Sequence, residues 1–114
     1  MKIQFSELTE HDEELVKMAM EVICRKYRPG RHHVGAALRC KSGRTFCGVH
    51  LDSPAIDICA EAVAIGSAAS HGEQDYEVIV AVALDADMQP KVIPPCGMCR
   101  ELLCHFAPDI FVIL

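Results

Sequence analysis

The sequence predicts an α/β fold, a three-layer α-β-α sandwich in which a mixed β-sheet lies between helices. Segments with the apolar spacing of helices alternate with short apolar segments of strand length, in the order α-β-β-α-β-α-β. Hydrophobic residues make up 51% of the 114 residues, yet two Tyr and four Phe are the only aromatic ones. Most of the apolar side chains are therefore small, which allows helices to pack closely on a sheet.

The first predicted helix begins at about Ser6 or Thr9 and ends at Tyr27. Thr9 and Asp12 resemble a capping pair at its start, and acidic residues crowd its first turn. A Pro-Gly pair at 29–30 ends it. Two strands, Val34–Cys40 and Thr45–Val49, follow as a predicted hairpin around the polar turn at 41–44.

The second helix is predicted at 58–71, with Asp57 as its N-cap, and the third at 96–106. Two further apolar segments, at 78–84 and 110–114, predict buried strands. Between the first of these and the third helix, residues 85–95 are predicted to form a turn and a loop that ends at two prolines.

Residues 1–114 are predicted to form a single domain, since domains typically hold about 100–150 residues. A chain of this length buries a limited fraction of its surface, so we expect a homo-oligomer. The net charge is −5, and no run of Lys or Arg is present. This balance argues against a nucleic-acid partner, whose binding depends on neutralising phosphates, and favours a small, roughly neutral substrate.

The cysteine content indicates a reducing, cytoplasmic environment rather than a secreted disulfide scaffold. Seven cysteines are an odd number, and the first residues contain no apolar segment that resembles a signal peptide. No apolar run approaches membrane-spanning length. Four of the cysteines are interpreted as small buried apolar residues; these are Cys24, Cys40, Cys47 and Cys104.

The other three cysteines form the most informative pattern in the chain. Cys59-Ala60-Glu61 lies upstream of Pro95-Cys96-Gly97-Met98-Cys99. Three thiolates can hold one Zn²⁺ and leave its fourth position open, which is typical of a catalytic site. Glu61 would then be available for proton transfer. Alone, the Cys-x-x-Cys segment could be a redox pair or half of a structural zinc site, but these alternatives leave Glu61 without a role.

Together these residues resemble the zinc-dependent cytidine deaminase superfamily, with Cys in place of the commoner first-ligand His. Three other segments keep the order and approximate spacing of that family, namely 34–38, 43–46 and 47–49. The resemblance implies the three-layer fold, a tetramer, and hydrolysis of cytidine or deoxycytidine to the uracil nucleoside and ammonia. It also implies Glu61 as the catalytic acid–base group and places Ala60 and Pro95 against the substrate.

The chain departs from the family at several positions. Ala62 stands where relatives commonly have an Arg after the catalytic Glu, which leaves Arg100 to compensate the negative charge of three thiolates. The Asn and Glu that read the substrate fall here on His50 and Asp52, and an aromatic position falls on the His32-His33 pair. We therefore place His32, His50 and Asp52 in the substrate pocket, with altered specificity.

Two alternatives to a plain cytidine deaminase remain at this point. Blasticidin S deaminases share the missing Arg and a similar motif layout, and they act on a cytosine nucleoside analogue with a bulky arm. A zinc-stabilised binding module without turnover belongs to a different class, and it would have no need of Glu61. Family members also continue beyond the position of Leu114, so we expect either that the domain lacks a C-terminal segment or that a neighbouring chain supplies the parts that close the pocket.

Overall fold

The computed structural model describes residues 7–114, and Ser6, the earlier of the two predicted starts of the first helix, lies outside this range. One sheet separates a single helix on one face from two helices on the other. In chain order the elements are α1 Glu10–Lys26, β1 Val34–Cys40, β2 Thr45–Val49, β3 Leu51–Asp52, β4 Asp57–Ile58, α2 Ala60–Ser70, β5 Tyr76–Leu84, β6 Pro90–Ile93, α3 Gly97–Phe106 and β7 Phe111–Val112. The predicted three-layer α/β sandwich is confirmed.

The five-stranded sheet is mixed, as predicted. Its main order is β2-β1-β5-β6, and all three of these pairings are antiparallel. The far edge of β5 is shared, because β6 pairs with residues 81–84 while β7 runs parallel to residues 78–79. A separate two-stranded ladder joins β3 to β4. Helix α3 and strand β7 follow the central strand β5 along the chain. The starts of α2 and α3 lie together at one end of the sheet.

Helix α1 begins with the predicted capping box. The Thr9 hydroxyl accepts a hydrogen bond from the Asp12 N–H, and the Asp12 carboxylate accepts one from the Thr9 N–H, each at 3.1 Å. Leu15, Ala19 and Ile23 are fully buried and pack against one face of β1 and β5. Their i, i+4, i+8 spacing is that of one helix face.

Helix α2 packs against the opposite face of the sheet at unusually short range. Ala60, Ala64 and Ala68 are fully buried along one side of the helix. A Cβ at Gly48 of β2 would lie 2.6 Å from both the Ala60 carbonyl oxygen and the Ala64 nitrogen. Glycine at this position and alanine on the helix therefore fix the distance of α2 from the sheet, and with it the position of the first turn.

Three details differ from the sequence-based predictions. Asp57 does not cap α2, because it belongs to β4 and the helix begins two residues after Ile58, with Cys59 as N-cap. The predicted loop at 85–95 contains β6, which Pro90 can open because an edge strand tolerates a missing N–H. The strands β3 and β4 have two residues each, too few for a visible alternation of apolar and polar residues.

All seven cysteines are free thiols, but not all four of the non-motif cysteines are buried. Cys40 is buried and Cys47 is half-buried, in line with the prediction. Cys24 and Cys104 are exposed, so their predicted burial is wrong; both lie on the solvent-facing sides of helices. Within residues 7–114, no helix is both long and apolar enough to cross a membrane.

Candidate active site

The three motif cysteines meet where α2 and α3 begin. Cys59 is the N-cap of α2 and Cys96 the N-cap of α3, both with extended backbone (ψ 147° and 174°), while Cys99 lies in the first turn of α3. Their sulfur atoms all lie within 4.8 Å of one another, and those of Cys59 and Cys96 are 3.4 Å apart. Tetrahedral zinc with Zn–S bonds of about 2.3 Å requires sulfur atoms about 3.8 Å apart. The donor set and its spacing thus fit one zinc ion.

The N-cap position also explains how Cys59 and Glu61 can serve one site. Residues i and i+2 within a helix point to different faces. Cys59 is not bound by this restriction, since its backbone is extended and its side chain projects over the helix end. Glu61, in the first turn of α2, is only 5% exposed.

The metal-free thiols differ in acidity because their surroundings differ. The backbone N–H groups of Cys99 and Met98, at the start of α3, lower the pKa of the exposed Cys96 thiol. Burial raises the pKa of Cys59 and, to a greater extent, that of Cys99. Zinc binds thiolates, so metal binding must release the protons that these thiols carry.

Glu61 is the only charged side chain within residues 7–114 that is buried. Burial raises the pKa of its carboxyl group, while its own backbone N–H and the neighbouring Cys99 thiol act in the opposite direction. A carboxyl group in this environment holds a proton more readily than an exposed one. That property suits a group that accepts and returns a proton near neutral pH.

A pocket of about 180 Å³ lies beside the thiols and Glu61. Residues from β1, α2, β6 and the two loops that precede the helices surround it. The lining residues are Val34, His50, Asp57, Cys59, Ala60, Glu61, Ile93, Pro94 and Cys96. The site therefore joins an open set of metal ligands, a buried carboxyl group and a cavity for a small molecule.

The residues expected to recognise the substrate are placed differently from one another. His50 and Ala60 line the pocket. Asp52 does not line it, but its carboxylate lies within 4.8 Å of the nearest ligand atoms of His50 and Asp57. His32 lines a separate, larger groove of about 690 Å³ between α1, β2 and α2. It is linked to the pocket by its contact with His50, whose carbonyl oxygen lies 2.8 Å from His32 Nδ1.

Pro95 and Arg100 are connected to each other. Pro95, which was expected against the substrate, is buried directly before Cys96 and is not among the residues that line the pocket, although its neighbour Pro94 is. The Pro95 carbonyl oxygen accepts a hydrogen bond from Arg100 Nε at 3.2 Å. Among the described residues, Arg100 forms no hydrogen bond to a motif sulfur atom. Its guanidinium group is anchored instead to the backbone of the segment directly before Cys96.

Sequence reasoning missed four lining residues, Val34, Asp57, Ile93 and Pro94. Ile93 belongs to β6, which was predicted as loop, and Asp57 was interpreted as a helix cap. The His50-to-Asp57 segment carries a signal in hindsight: two acidic residues and a His occur within eight residues, directly before the Cys-x-Glu motif.

Comparisons with known proteins agree with this geometry. Residues 9–114 match the cytidine and deoxycytidylate deaminase zinc-binding region. The chain is 44% identical over 113 residues to a blasticidin-S deaminase of Bacillus cereus (94% of this chain, 81% of that protein). It is 35% identical over 97 residues to a cytidine deaminase of Halalkalibacterium halodurans (82% and 70%). The crystal structure of a cytidine deaminase from Burkholderia pseudomallei superposes with a TM-score of 0.74 at 28% identity (94% and 84%).

The fold and site define a zinc-dependent hydrolytic deaminase. The chain belongs to the cytidine and deoxycytidylate deaminase family. The predicted resemblance, enzyme class and zinc cofactor are thereby confirmed.

Proposed function

We propose that this protein hydrolyses the exocyclic amine of a cytosine-type nucleoside, with cytidine and deoxycytidine as leading substrates. One observation carries the proposal: the buried Glu61 carboxyl group lies beside an open three-thiol metal site, in a pocket large enough for a small molecule. A structural zinc site would not need a carboxyl group held in a costly buried position.

In this proposal Cys59, Cys96 and Cys99 hold the zinc ion. When bound, zinc supplies Lewis acidity that lowers the pKa of water at the reaction centre. Glu61 would accept one proton from that water and deliver it to the pyrimidine ring nitrogen, and would then carry the second proton of the same oxygen to the departing amine. The water oxygen replaces nitrogen on the ring, so the nucleoside and water yield the uracil nucleoside and ammonia.

The segment around Pro95 completes the proposed site. The Pro95 carbonyl, which lies next to Cys96, is our candidate acceptor for the substrate amine, and Ala60 packs against the base. Arg100 fixes that carbonyl through the 3.2 Å hydrogen bond. It also brings a positive charge towards the thiolates, whose combined charge would exceed that of Zn²⁺.

A blasticidin S deaminase is the second candidate. The 44% identity to the Bacillus cereus enzyme extends over nearly the whole chain, and the recognition positions His50 and Asp52 depart from the cytidine deaminase pattern. A binding module without turnover is the candidate of a different class, and the buried Glu61 argues against it.

We further propose a homotetramer that works in the cytoplasm on a free nucleoside and binds neither nucleic acid nor membranes. The small size of the domain supports association. Seven unpaired thiols, three of them at a metal site, fit a reducing compartment.

An ammonia-release screen of the zinc-loaded protein tests the proposed function. Cytidine, deoxycytidine, cytosine, blasticidin S and N4-substituted cytidines are compared, with a Glu61→Gln variant as the background control. We expect turnover of at least one nucleoside, with free cytosine a poor substrate. Absence of ammonia release from every compound, with one zinc per chain present, would contradict the proposal.

A further inference from the structure

The His50 ring lines the pocket with both of its nitrogen atoms engaged by the protein. Nδ1 accepts a hydrogen bond from the His33 backbone N–H at 3.3 Å, so the ring proton resides on Nε2 and is donated to the Asp57 carboxylate. His50 therefore has no ring nitrogen left for a substrate. The orientation of the ring, rather than a free hydrogen-bonding group, is what it contributes to the pocket wall.

The His33 ring packs against this His50 ring. Their centroids are 5.5 Å apart, and the ring planes are tilted by 58°. The same His33 ring meets Tyr27, the C-cap of α1, in an edge-to-face contact with centroids 5.7 Å apart and planes at 87°. Aromatic rings favour tilted and edge-to-face arrangements of this kind. His33 thus joins the end of α1 to the wall of the pocket.

A backbone hydrogen bond fixes the His33 ring in one orientation. The Gly30 N–H donates to His33 Nε2 at 3.1 Å, so the proton of the neutral ring resides on Nδ1. Gly30 has a φ of 72°, a conformation that favours glycine. It lies within a tight turn that two backbone hydrogen bonds between Arg28 and His32 close, at 2.9 and 3.1 Å. The turn after α1 is therefore a firm support for the ring.

We infer that His33 is a positioning residue, which holds the His50 ring in place and thereby sets the affinity of the pocket for its substrate. His33 does not line the pocket itself, so it acts through His50. This role rests on the proposed function for the identity of the substrate. It predicts an effect on binding rather than on the chemical step, which belongs to the thiols and Glu61.

Nitrogen-15 spectra of the imidazole rings test the arrangement without turnover. Long-range proton–nitrogen correlations distinguish the two neutral tautomers of each His, and they are recorded on the zinc-loaded protein at mildly alkaline pH, where free imidazole is neutral. We expect the proton on Nδ1 in His33 and on Nε2 in His50. The His33→Ala variant should shift or broaden the His50 signals. His105→Ala, at an exposed His of α3, is the control and should leave them unchanged.

Three substitutions separate the hydrogen bond of His33 from its ring contacts. His33→Gln keeps an acceptor at the distance of Nε2 and loses the ring, His33→Phe keeps the ring and loses the acceptor, and His33→Ala loses both. We expect KM for cytidine to rise about fivefold or more in His33→Ala, the effect of one lost hydrogen bond, and less in the other two variants. The value of kcat should stay within about twofold.

A dissociation constant gives the affinity directly. Cytidine binding to the zinc-loaded Glu61→Gln variant is compared with binding to the same variant that also carries His33→Ala, and the second constant should be about fivefold larger. If His33→Ala does not fold, the His33→Gln and His33→Phe variants serve in its place, since each keeps one of the two contacts.

Several results would overturn the role of His33. These are a proton on Nε2 of His33, a His50 ring that does not respond to the His33 variants, or variants that lower kcat and leave KM and the dissociation constant unchanged. Absence of turnover of every nucleoside contradicts the proposed function alone. The tautomers and the response of His50 then still decide whether His33 positions that ring.

Discussion

Single residues at the helix starts decide what the metal site can be. An N-cap residue has extended backbone, and its side chain normally accepts a hydrogen bond from the first helical turn. Cys59 and Cys96 occupy these positions without making a side-chain capping bond. The helix ends therefore leave two thiols available to a metal. The N–H groups at the start of α3 lower the pKa of Cys96, whereas burial raises the pKa of Cys59 despite its place at a helix N-terminus.

Replacement of Cys96 tests the zinc ligands. We expect Cys96→Ala to lose most of the bound zinc, because two sulfur donors do not form a closed or catalytic zinc site. Cys104→Ala is the matched control, since Cys104 is an exposed thiol on the same helix. Elemental analysis of both purified variants gives the answer, and equal zinc content in the two would show that the ligands are misassigned.

Glu61 is expected to transfer protons rather than bind metal. The Glu61→Gln variant keeps the size of the side chain and removes its acid–base function, so the deamination rate should fall by about 100-fold or more. Zinc content should stay at one per chain. Loss of zinc together with activity would instead identify Glu61 as a ligand.

At the scale of the elements, the approach of α2 to β2 sets the position of both Cys59 and Glu61. A Cβ added at Gly48 would lie 2.6 Å from backbone atoms of α2. Because these are backbone atoms, a change of side-chain rotamer cannot relieve the clash. We expect Gly48→Ala to push α2 outward, to destabilise the fold by about 1–3 kcal/mol, and to weaken zinc binding.

Two matched substitutions separate strain at the site from strain elsewhere. A Cβ at Gly35 would meet the Ala19 carbonyl oxygen of α1 at 2.9 Å, so Gly35→Ala should destabilise the fold without weakening zinc binding. Gly66 of α2 has open space around it, and Gly66→Ala should stabilise the helix by about 0.5–1 kcal/mol. Thermal unfolding and a zinc titration of the three variants distinguish these effects. Equal zinc affinity in Gly48→Ala and Gly35→Ala would refute the link between α2 and the site.

The start of α1 should make stability depend on pH in the acid range. Burial raises the pKa of Asp12, but hydrogen bonds from Arg39 and from Thr9 outweigh it and lower the pKa below its usual value. A depressed folded-state pKa contributes stability above the unfolded pKa of about 3.9, and this is lost as pH falls through the folded value. Asp12→Ala should cost about 2 kcal/mol at neutral pH, and less below about pH 3. A loss that is the same at both pH values would contradict the ion pair.

Most elements were predictable because their patterns are local. The capping pair and apolar stripe of α1 and the two hairpin strands β1 and β2 occur in the structure at the predicted positions. The starts of α2 and α3 were predicted early, since Cys59 and Cys96 are not residue types that mark an N-cap. Strands β3, β4 and β6 are defined by pairing partners, and pairing is not visible in a short segment.

At the scale of the whole molecule, one half of the candidate site follows from local sequence patterns, and the other half depends on strand pairing. The three thiols and Glu61 could be predicted from their spacing in the sequence, because each of them is an N-cap residue or lies in the first turn of a helix. The mouth of the pocket could not, since Asp57 and Ile93 reach it through β4 and β6. The chemistry of the site is therefore encoded locally, whereas its specificity depends on long-range pairing.

Whole chains are expected to associate through the hairpin formed by β3 and β4. The hairpin formed by β3 and β4 exposes three large apolar residues next to the pocket mouth: Leu51, Ile56 and Ile58 are 41%, 60% and 36% exposed. Apolar residues clustered on a small domain favour an interface. We expect sedimentation at micromolar concentration to give a species of four chains rather than the 12.5-kDa monomer.

The Ile56→Ser variant should shift this equilibrium towards smaller species, because it removes the most exposed of the three side chains. Met88→Ser, at a similarly exposed Met in the β5–β6 turn, is the control and should not shift it. A stable monomer of the unmodified protein would refute the tetramer, and equal behaviour of the two variants would place the interface on another surface.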